Sequence, residues 1–80
     1  MVDARQLRAA RALLEWSQSE LAERTGLSLT TIKRMESSAV GPDRSSFVNL
    51  RAVLTVFDAA GVQFIGDSGV QLGSNGMVAD

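Results

Sequence analysis

This 80-residue chain has few types of side chain that could take part in chemistry, because it contains neither histidine nor cysteine. Their absence excludes disulfides, thiolate nucleophiles, histidine general bases and the metal sites that these two residues build. The remaining candidates gather in residues 28–34, where Lys33 and Arg34 follow a leucine and two threonines. Lysine and threonine form hydrogen bonds with the edges of base pairs, and leucine packs against the methyl group of thymine. These residue types favour contact with nucleic acid over catalysis.

Length and composition limit the kind of protein that positions these residues. Eighty residues make one domain with a small core, and 45% hydrophobic with 21% charged residues is typical of a globular protein. No apolar run approaches the roughly 20 residues that span a bilayer, and residues 1–11 lack the apolar core of an export signal. We expect a cytoplasmic, nucleoid-associated protein with no membrane contact.

The charges are distributed unevenly along the chain. The net charge is −1, yet residues 1–51 hold eight basic and six acidic side chains, whereas residues 52–80 hold three acidic side chains and no basic one. The first part, at +2, is the part suited to a polyanion. Five of the seven glycines lie in residues 61–76, so a helical front precedes a back that is rich in turns.

Capping signals predict two helices at the start of the chain. The first spans residues 4–15 after the N-cap Asp3, with apolar residues at helical spacing. The second begins after Ser17, which is predicted to form a capping box with Glu20. It ends at Gly26, a residue suited to a left-handed C-cap.

Two further helices and a hairpin follow. The third helix spans residues 29–37 after the N-cap Ser28, and the fourth runs to about residue 60 after Ser45 or Ser46. The residues expected to bury in these two helices are Ile32, Met35, Phe47, Leu50, Val53, Leu54 and Phe57. Two short strands, over residues 62–65 and 70–72 around a turn at residues 66–69, are predicted next, before a flexible tail over residues 73–80.

The domain organisation follows from these elements. Residues 1–60 form a helical domain, and residues 61–72 form a hairpin. A solitary two-stranded hairpin is marginal in water. It therefore has to pack on the helices or pair with another chain.

The second and third helices have the spacing of a helix-turn-helix. Ala22 is small enough for the two helices to approach closely, Gly26 supplies positive φ in the turn, and Leu27 fills the space beneath it. The outward face of the third helix is then free to enter a DNA major groove.

At this point the chain resembles the Xre/Cro family of phage-repressor-like transcriptional regulators. From Ser17 to Glu36 it reads SQSELAERTGLSLTTIKRME, which meets every fixed position of the family pattern S-Q-x-x-L-A-x-x-x-G-(V/L)-S-x-x-T-I-x-(R/K)-(L/M/I)-E. The resemblance covers about residues 5–60. It implies a mostly α fold, a four-helix lambda-repressor-like DNA-binding domain, to which the short C-terminal β-hairpin is added.

The resemblance also implies roles for individual residues. Gln18 matches a glutamine that holds a phosphate and braces the recognition helix, and Arg11 with Glu36 matches a charge pair between the first and third helices. Leu29 is apolar where family members often carry glutamine or arginine, which leaves the operator sequence open. The expected DNA contacts are Gln18, Ser28, Leu29, Thr30, Thr31, Lys33, Arg34 and Arg44.

The function expected from the resemblance is sequence-specific binding of double-stranded DNA, without a cofactor, a metal or catalysis. Because one such module buries only about 600–1,000 Å² of protein surface, we expect a homodimer on a pseudo-palindrome. The hairpin is a candidate dimer element, with Phe64, Ile65, Val70 and Leu72 predicted to bury against the partner. Two alternatives stay open: a protein-interaction module, such as an antitoxin or adaptor, and a small enzyme.

Overall fold

Four helices and a two-stranded antiparallel hairpin make up the fold, which is mostly helical. The computed structural model describes residues 2–42 and 46–73. The elements, in chain order, are α1 (Ala4–Leu14), α2 (Gln18–Thr25), α3 (Leu29–Met35), α4 (Phe47–Ala59), β1 (Val62–Ile65) and β2 (Gly69–Leu72). The predicted four helices and C-terminal hairpin are confirmed. The predicted flexible tail lies outside the described residues, apart from its first residue.

Each helix begins beside a polar residue predicted to cap it. Asp3, Ser17, Ser28 and Ser46 each accept a hydrogen bond from the backbone N–H three residues further on. Such a cap stabilises a helix by about 1 kcal/mol. Three helices end slightly before the residue predicted, α1 and α4 by one residue and α3 by two, because the last turn of a helix is weakly specified by sequence.

The capping box predicted for α2 is wrong in one half. Ser17 accepts from the N–H of Glu20 at 3.0 Å, but the Glu20 carboxylate instead forms an ion pair with Arg24 at 2.8 Å. A charged donor one helical turn away binds a carboxylate more strongly than a neutral N–H does. The complete capping box is at α1, where Asp3 and Gln6 each accept from the other's backbone N–H.

Gln6 also fastens the hairpin to the helices, a role that the sequence analysis missed. Its side chain is fully buried, and its amide Nε2 donates to the carbonyl oxygens of Gly66 at 3.1 Å and Gly69 at 3.0 Å. The three-residue spacing from Asp3 to Gln6 signals a capping box. Nothing local indicates that the same amide reaches residues sixty or more positions away.

The core lies where the four helices meet the first strand. Its buried residues are Leu7, Ala10, Leu21, Ala22, Ile32, Met35, Val53, Phe57 and Val62. Phe57 is at its centre, with its ring 6.0 Å from that of Trp16 and 6.1 Å from that of Phe64. Trp16 therefore packs between helices.

One expected core residue is on the surface. Phe47 is 73% exposed, which contradicts its assignment to the apolar stripe of α4. The fully buried residues of this helix are Val53 and Phe57. The first turn of α4 therefore lies ahead of the part that packs against the core, so spacing alone could not assign Phe47.

The hairpin packs one face onto the helices. Val62 pairs with Leu72 and Phe64 with Val70, and Val62, Phe64 and Val70 contact the core. The opposite face is exposed, with a cross-strand hydrogen bond of 2.9 Å between the side chains of Gln71 and Gln63. The hairpin thus packs on its own helices.

Candidate nucleic-acid interface

The turn between α2 and α3 sets the angle at which α3 is presented. Gly26 adopts the left-handed conformation, with φ of 75°, and its N–H donates to the carbonyl of Ala22 at 2.9 Å. The Thr25 hydroxyl donates to the carbonyl of Leu21 at 2.8 Å, and half-buried Leu27 packs against the core. A residue with a Cβ is strained at that φ, so glycine is favoured here.

The two faces of α3 differ sharply in exposure. Ile32 and Met35 are buried in the core. Four residues expected to contact DNA are all exposed, namely Leu29, Thr30, Lys33 and Arg34. The inward pair therefore fixes the helix and leaves a face of mixed apolar, hydroxyl and cationic groups directed to solvent.

Ser28 and Thr31 are engaged within the protein. The Ser28 hydroxyl accepts from the backbone N–H of Thr31 at 3.1 Å and donates to the Thr31 hydroxyl at 2.9 Å. These bonds cap α3. Any contribution of the two side chains to DNA binding would be made while they hold the first turn of the helix.

A buried carboxylate joins the end of α3 to the other helices. The side chain of Glu36 is 2% exposed and forms an ion pair with Arg11 at 3.0 Å, as predicted. One Glu36 oxygen, Oε1, also accepts from the amide of Gln18 at 3.1 Å. The Arg11 guanidinium donates further to the carbonyl of Trp16 at 2.9 Å. We call this group of Arg11, Gln18 and Glu36 the Glu36 clamp.

Arg8 adds a contact to the clamp that sequence reasoning missed. Its guanidinium donates to the backbone carbonyl of Glu36, the C-cap residue of α3. A basic side chain at a helix C-terminus satisfies a free carbonyl and interacts favourably with the helix dipole. The spacing of Arg8 and Arg11, one turn apart on α1, is the signal that both reach the same target.

The cationic groups on α3 remain available for an outside partner. Within residues 2–42 and 46–73 the ion pairs are Arg5 with Asp3, Arg11 with Glu36, and Arg24 with Glu20. Lys33 and Arg34 are absent from these pairs, and α3 contains no acidic residue. The helix therefore presents two unpaired positive charges, in contrast to Arg24, which also lies over the Trp16 ring at 4.2 Å.

Of the other predicted contacts, Gln18 is placed at the first residue of α2 and close to the end of α3, whereas Arg44 lies outside the described residues, as does Ser45. In the part of the chain that the structure describes, no acidic cluster is placed to hold a metal ion. None of its helices is long and apolar enough to cross a bilayer.

A comparison with protein families matches a helix-turn-helix family over residues 7–56. This chain belongs to the Xre/Cro-like helix-turn-helix family. The Xre-like match runs from α1 into the second half of α4, so it includes the Glu36 clamp and all of α3 and stops before the hairpin. The family match supports the conclusion that the chain is a DNA-binding regulator of transcription. No curated protein and no solved structure matched the chain.

Proposed function

We propose that this protein binds a specific double-stranded DNA sequence and regulates transcription, with α3 in the major groove. The observation that carries the proposal is the exposed face of α3, where Lys33 and Arg34 form no ion pair with any described residue, on a helix whose other face is buried. An α-helix with its side chains is about 10–12 Å in diameter. The major groove, about 12 Å wide, admits such a helix.

The base-reading residues of the proposal are those at the exposed start and middle of α3. Lys33 donates to guanine, Thr30 donates to or accepts from a base edge, and Leu29 contacts a thymine methyl group. Arg34 reaches a base or a phosphate. Because Leu29 is apolar, discrimination at its position comes from shape and methyl contact.

Phosphate contacts fix the orientation of the protein on the duplex. Gln18 serves this role at the start of α2, with its amide already oriented by the bond to Glu36. Ser28 and Thr31 contribute phosphate contacts from the start of α3, and Arg44 supplies a further one from the segment before α4. The hydrogen bonds of Gln18, Ser28 and Thr31 within the protein hold these three side chains in place before binding, which lowers the entropy cost of association.

Two copies are needed for tight, specific binding. A single module of this size buries about 600–1,000 Å² of protein surface on DNA. We therefore propose a homodimer on an inverted repeat whose half-sites lie about 34 Å apart. The protein acts in the cytoplasm on the nucleoid, as a regulator and not as an enzyme, and uses no cofactor.

Selection of bound duplexes from a random DNA library tests this function. We expect an enriched inverted repeat. An enriched single half-site would retain the function and remove the dimer. No enrichment, for a protein shown by circular dichroism to be folded, would refute the proposal.

A protein-interaction module is the second candidate, favoured by the apolar Phe47 and Val48, both 73% exposed. The dependence of binding on salt separates the two functions. A protein that neutralises several phosphates loses orders of magnitude in affinity between about 50 and 200 mM salt. Binding to a protein partner through an apolar surface changes far less over that range.

A further inference from the structure

The outward side of α4 carries the two most exposed large hydrophobic residues of the described fold. Phe47 and Val48 are 73% exposed. A shallow groove runs along the helix, lined by Phe47, Leu50, Arg51, Leu54, Thr55 and Asp58. It continues past Leu54 and Asp58 into a hollow against β1, lined by Val62, Phe64 and Ile65 among others. We call this continuous surface the α4 groove.

The α4 groove carries one positive and one negative charge. Arg51 and Asp58 are the only charged residues in Phe47–Ala59, and both are exposed. They lie seven residues apart, which is two helical turns or about 10 Å along the axis. Among residues 2–42 and 46–73 neither takes part in an ion pair.

We propose that the α4 groove binds the same groove of a second copy, with the two α4 helices antiparallel. A two-fold axis between Leu54 and Thr55 places Arg51 of each copy opposite Asp58 of the other. The interface is therefore self-complementary, as a two-fold dimer requires. Parallel helices would bring like charges together.

The same axis accounts for the exposure of Phe47. Phe47 precedes Arg51 by four residues, and Val62 follows Asp58 by four. Antiparallel pairing therefore places the Phe47 ring of each copy against the hollow at the start of the other copy's β1. An aromatic side chain that fills a partner's hollow is a typical anchor of a protein interface.

This assignment replaces the hairpin as the dimer element. Phe64 and Val70 contact their own core, so of the four residues predicted to bury against a partner, Ile65 and Leu72 alone are exposed. Ile65 borders the α4 groove. The hairpin then contributes one edge of the interface, and α4 contributes the centre.

The inference deepens the proposed function and rests on its need for two copies, but it is tested without DNA. Sedimentation velocity of the full chain, up to the highest concentration that stays in solution, is expected to show a monomer–dimer equilibrium. Arg51→Glu and Asp58→Arg are each expected to raise the dissociation constant on the order of tenfold, because two attractive contacts become repulsive. The double variant is expected to restore the native dissociation constant. Glu23→Arg reverses the charge of an exposed residue on α2. It is the matched control and is expected to leave the dissociation constant unchanged.

Disulfide formation gives a second measurement that does not depend on charge. The chain has no cysteine, so Thr55→Cys places one thiol beside the proposed axis and is expected to cross-link two copies on mild oxidation. Ser19→Cys, exposed on α2, is expected not to cross-link. A chain that stays monomeric, a dimer insensitive to Arg51→Glu, or a double variant no tighter than the single ones would overturn the assignment. If DNA selection succeeds while these tests fail, only the interface is wrong.

Discussion

Replacing Glu36 by glutamine removes the charge of the Glu36 clamp while keeping the shape of the side chain. In the native protein the two carboxylate oxygens accept from Nε and Nη2 of Arg11 and from the amide of Gln18. Glutamine has one acceptor oxygen, and its NH₂ group would face N–H donors. The substitution therefore leaves a guanidinium without a counter-charge and at least one donor without an acceptor.

The burial of the clamp sets the size of the effect. Removing one partner of a fully buried ion pair costs about 3–5 kcal/mol. The Glu36 side chain is 2% exposed, but that of Arg11 is 21% exposed, so water can reach part of the guanidinium. We expect the free energy of unfolding to fall by about 2–3 kcal/mol. That is a large part of the roughly 4–12 kcal/mol expected for a domain of this length.

Urea and thermal denaturation followed by circular dichroism measure this change. A loss of that size corresponds to a fall in Tm of about 10–20 °C. Glu20→Gln is the matched control, because the Glu20–Arg24 pair is also formed but its side chains are 38% and 47% exposed. The control should cost less than about 1 kcal/mol. If Glu36→Gln costs no more than Glu20→Gln, the clamp does not hold α3 in the way described.

Further predictions concern the reading face, the hairpin and the first cap. Lys33→Ala should weaken specific DNA binding by about 1–3 kcal/mol and relax preference at one base pair, whereas Gln18→Ala should weaken binding to all sequences alike. Arg5→Ala, which removes an equal charge, is the control, and an unchanged preference for Lys33→Ala would mean that α3 is oriented differently. Gln6→Ala should destabilise the fold by about 2–3 kcal/mol, because it removes the hydrogen bonds to the carbonyls of Gly66 and Gly69 and from the N–H of Asp3, and should speed hydrogen exchange in the hairpin; an unchanged exchange rate there would show that the tether is dispensable. The backbone N–H of Gln6 and the Arg5 guanidinium lower the pKa of Asp3 below 3.8, so the folded state binds fewer protons at this group than the unfolded state does. The stabilisation that Asp3 contributes is present above its unfolded-state pKa and is lost as the pH falls through the lowered pKa of the folded state. Asp3→Asn should flatten this part of an acid-denaturation curve, and an unaltered curve would contradict the assignment.

Local signals in the sequence predicted the helices and the turn well. A capping residue acts within three positions of itself, and the turn glycine is needed for a single backbone angle, so Ser17, Ser28 and Gly26 could be assigned without tertiary structure. The pair of Arg11 with Glu36 came from the family resemblance, because no local rule joins residues twenty-five positions apart.

Features that depend on how the elements pack were beyond the sequence. Phe47 has the spacing of a core residue, and only the position of α4 over the core shows that its first turn lies outside. Gln6 resembles an ordinary surface residue of an amphipathic helix until the hairpin folds over it. The Glu20 carboxylate had two donors within reach, the backbone N–H of Ser17 and the guanidinium of Arg24. It binds Arg24 because the charged donor forms the stronger bond.

The separation between the clamp and the exposed face of α3 has a consequence for how such a protein diversifies. The Glu36 clamp is formed by the C-cap residue of α3 and by side chains from α1 and α2, and it uses none of Leu29, Thr30 or Lys33. Substitutions at these three positions leave the core and the clamp intact. Under the proposed function, a duplicated copy of the gene can therefore acquire a new operator by a few mutations without passing through an unstable intermediate.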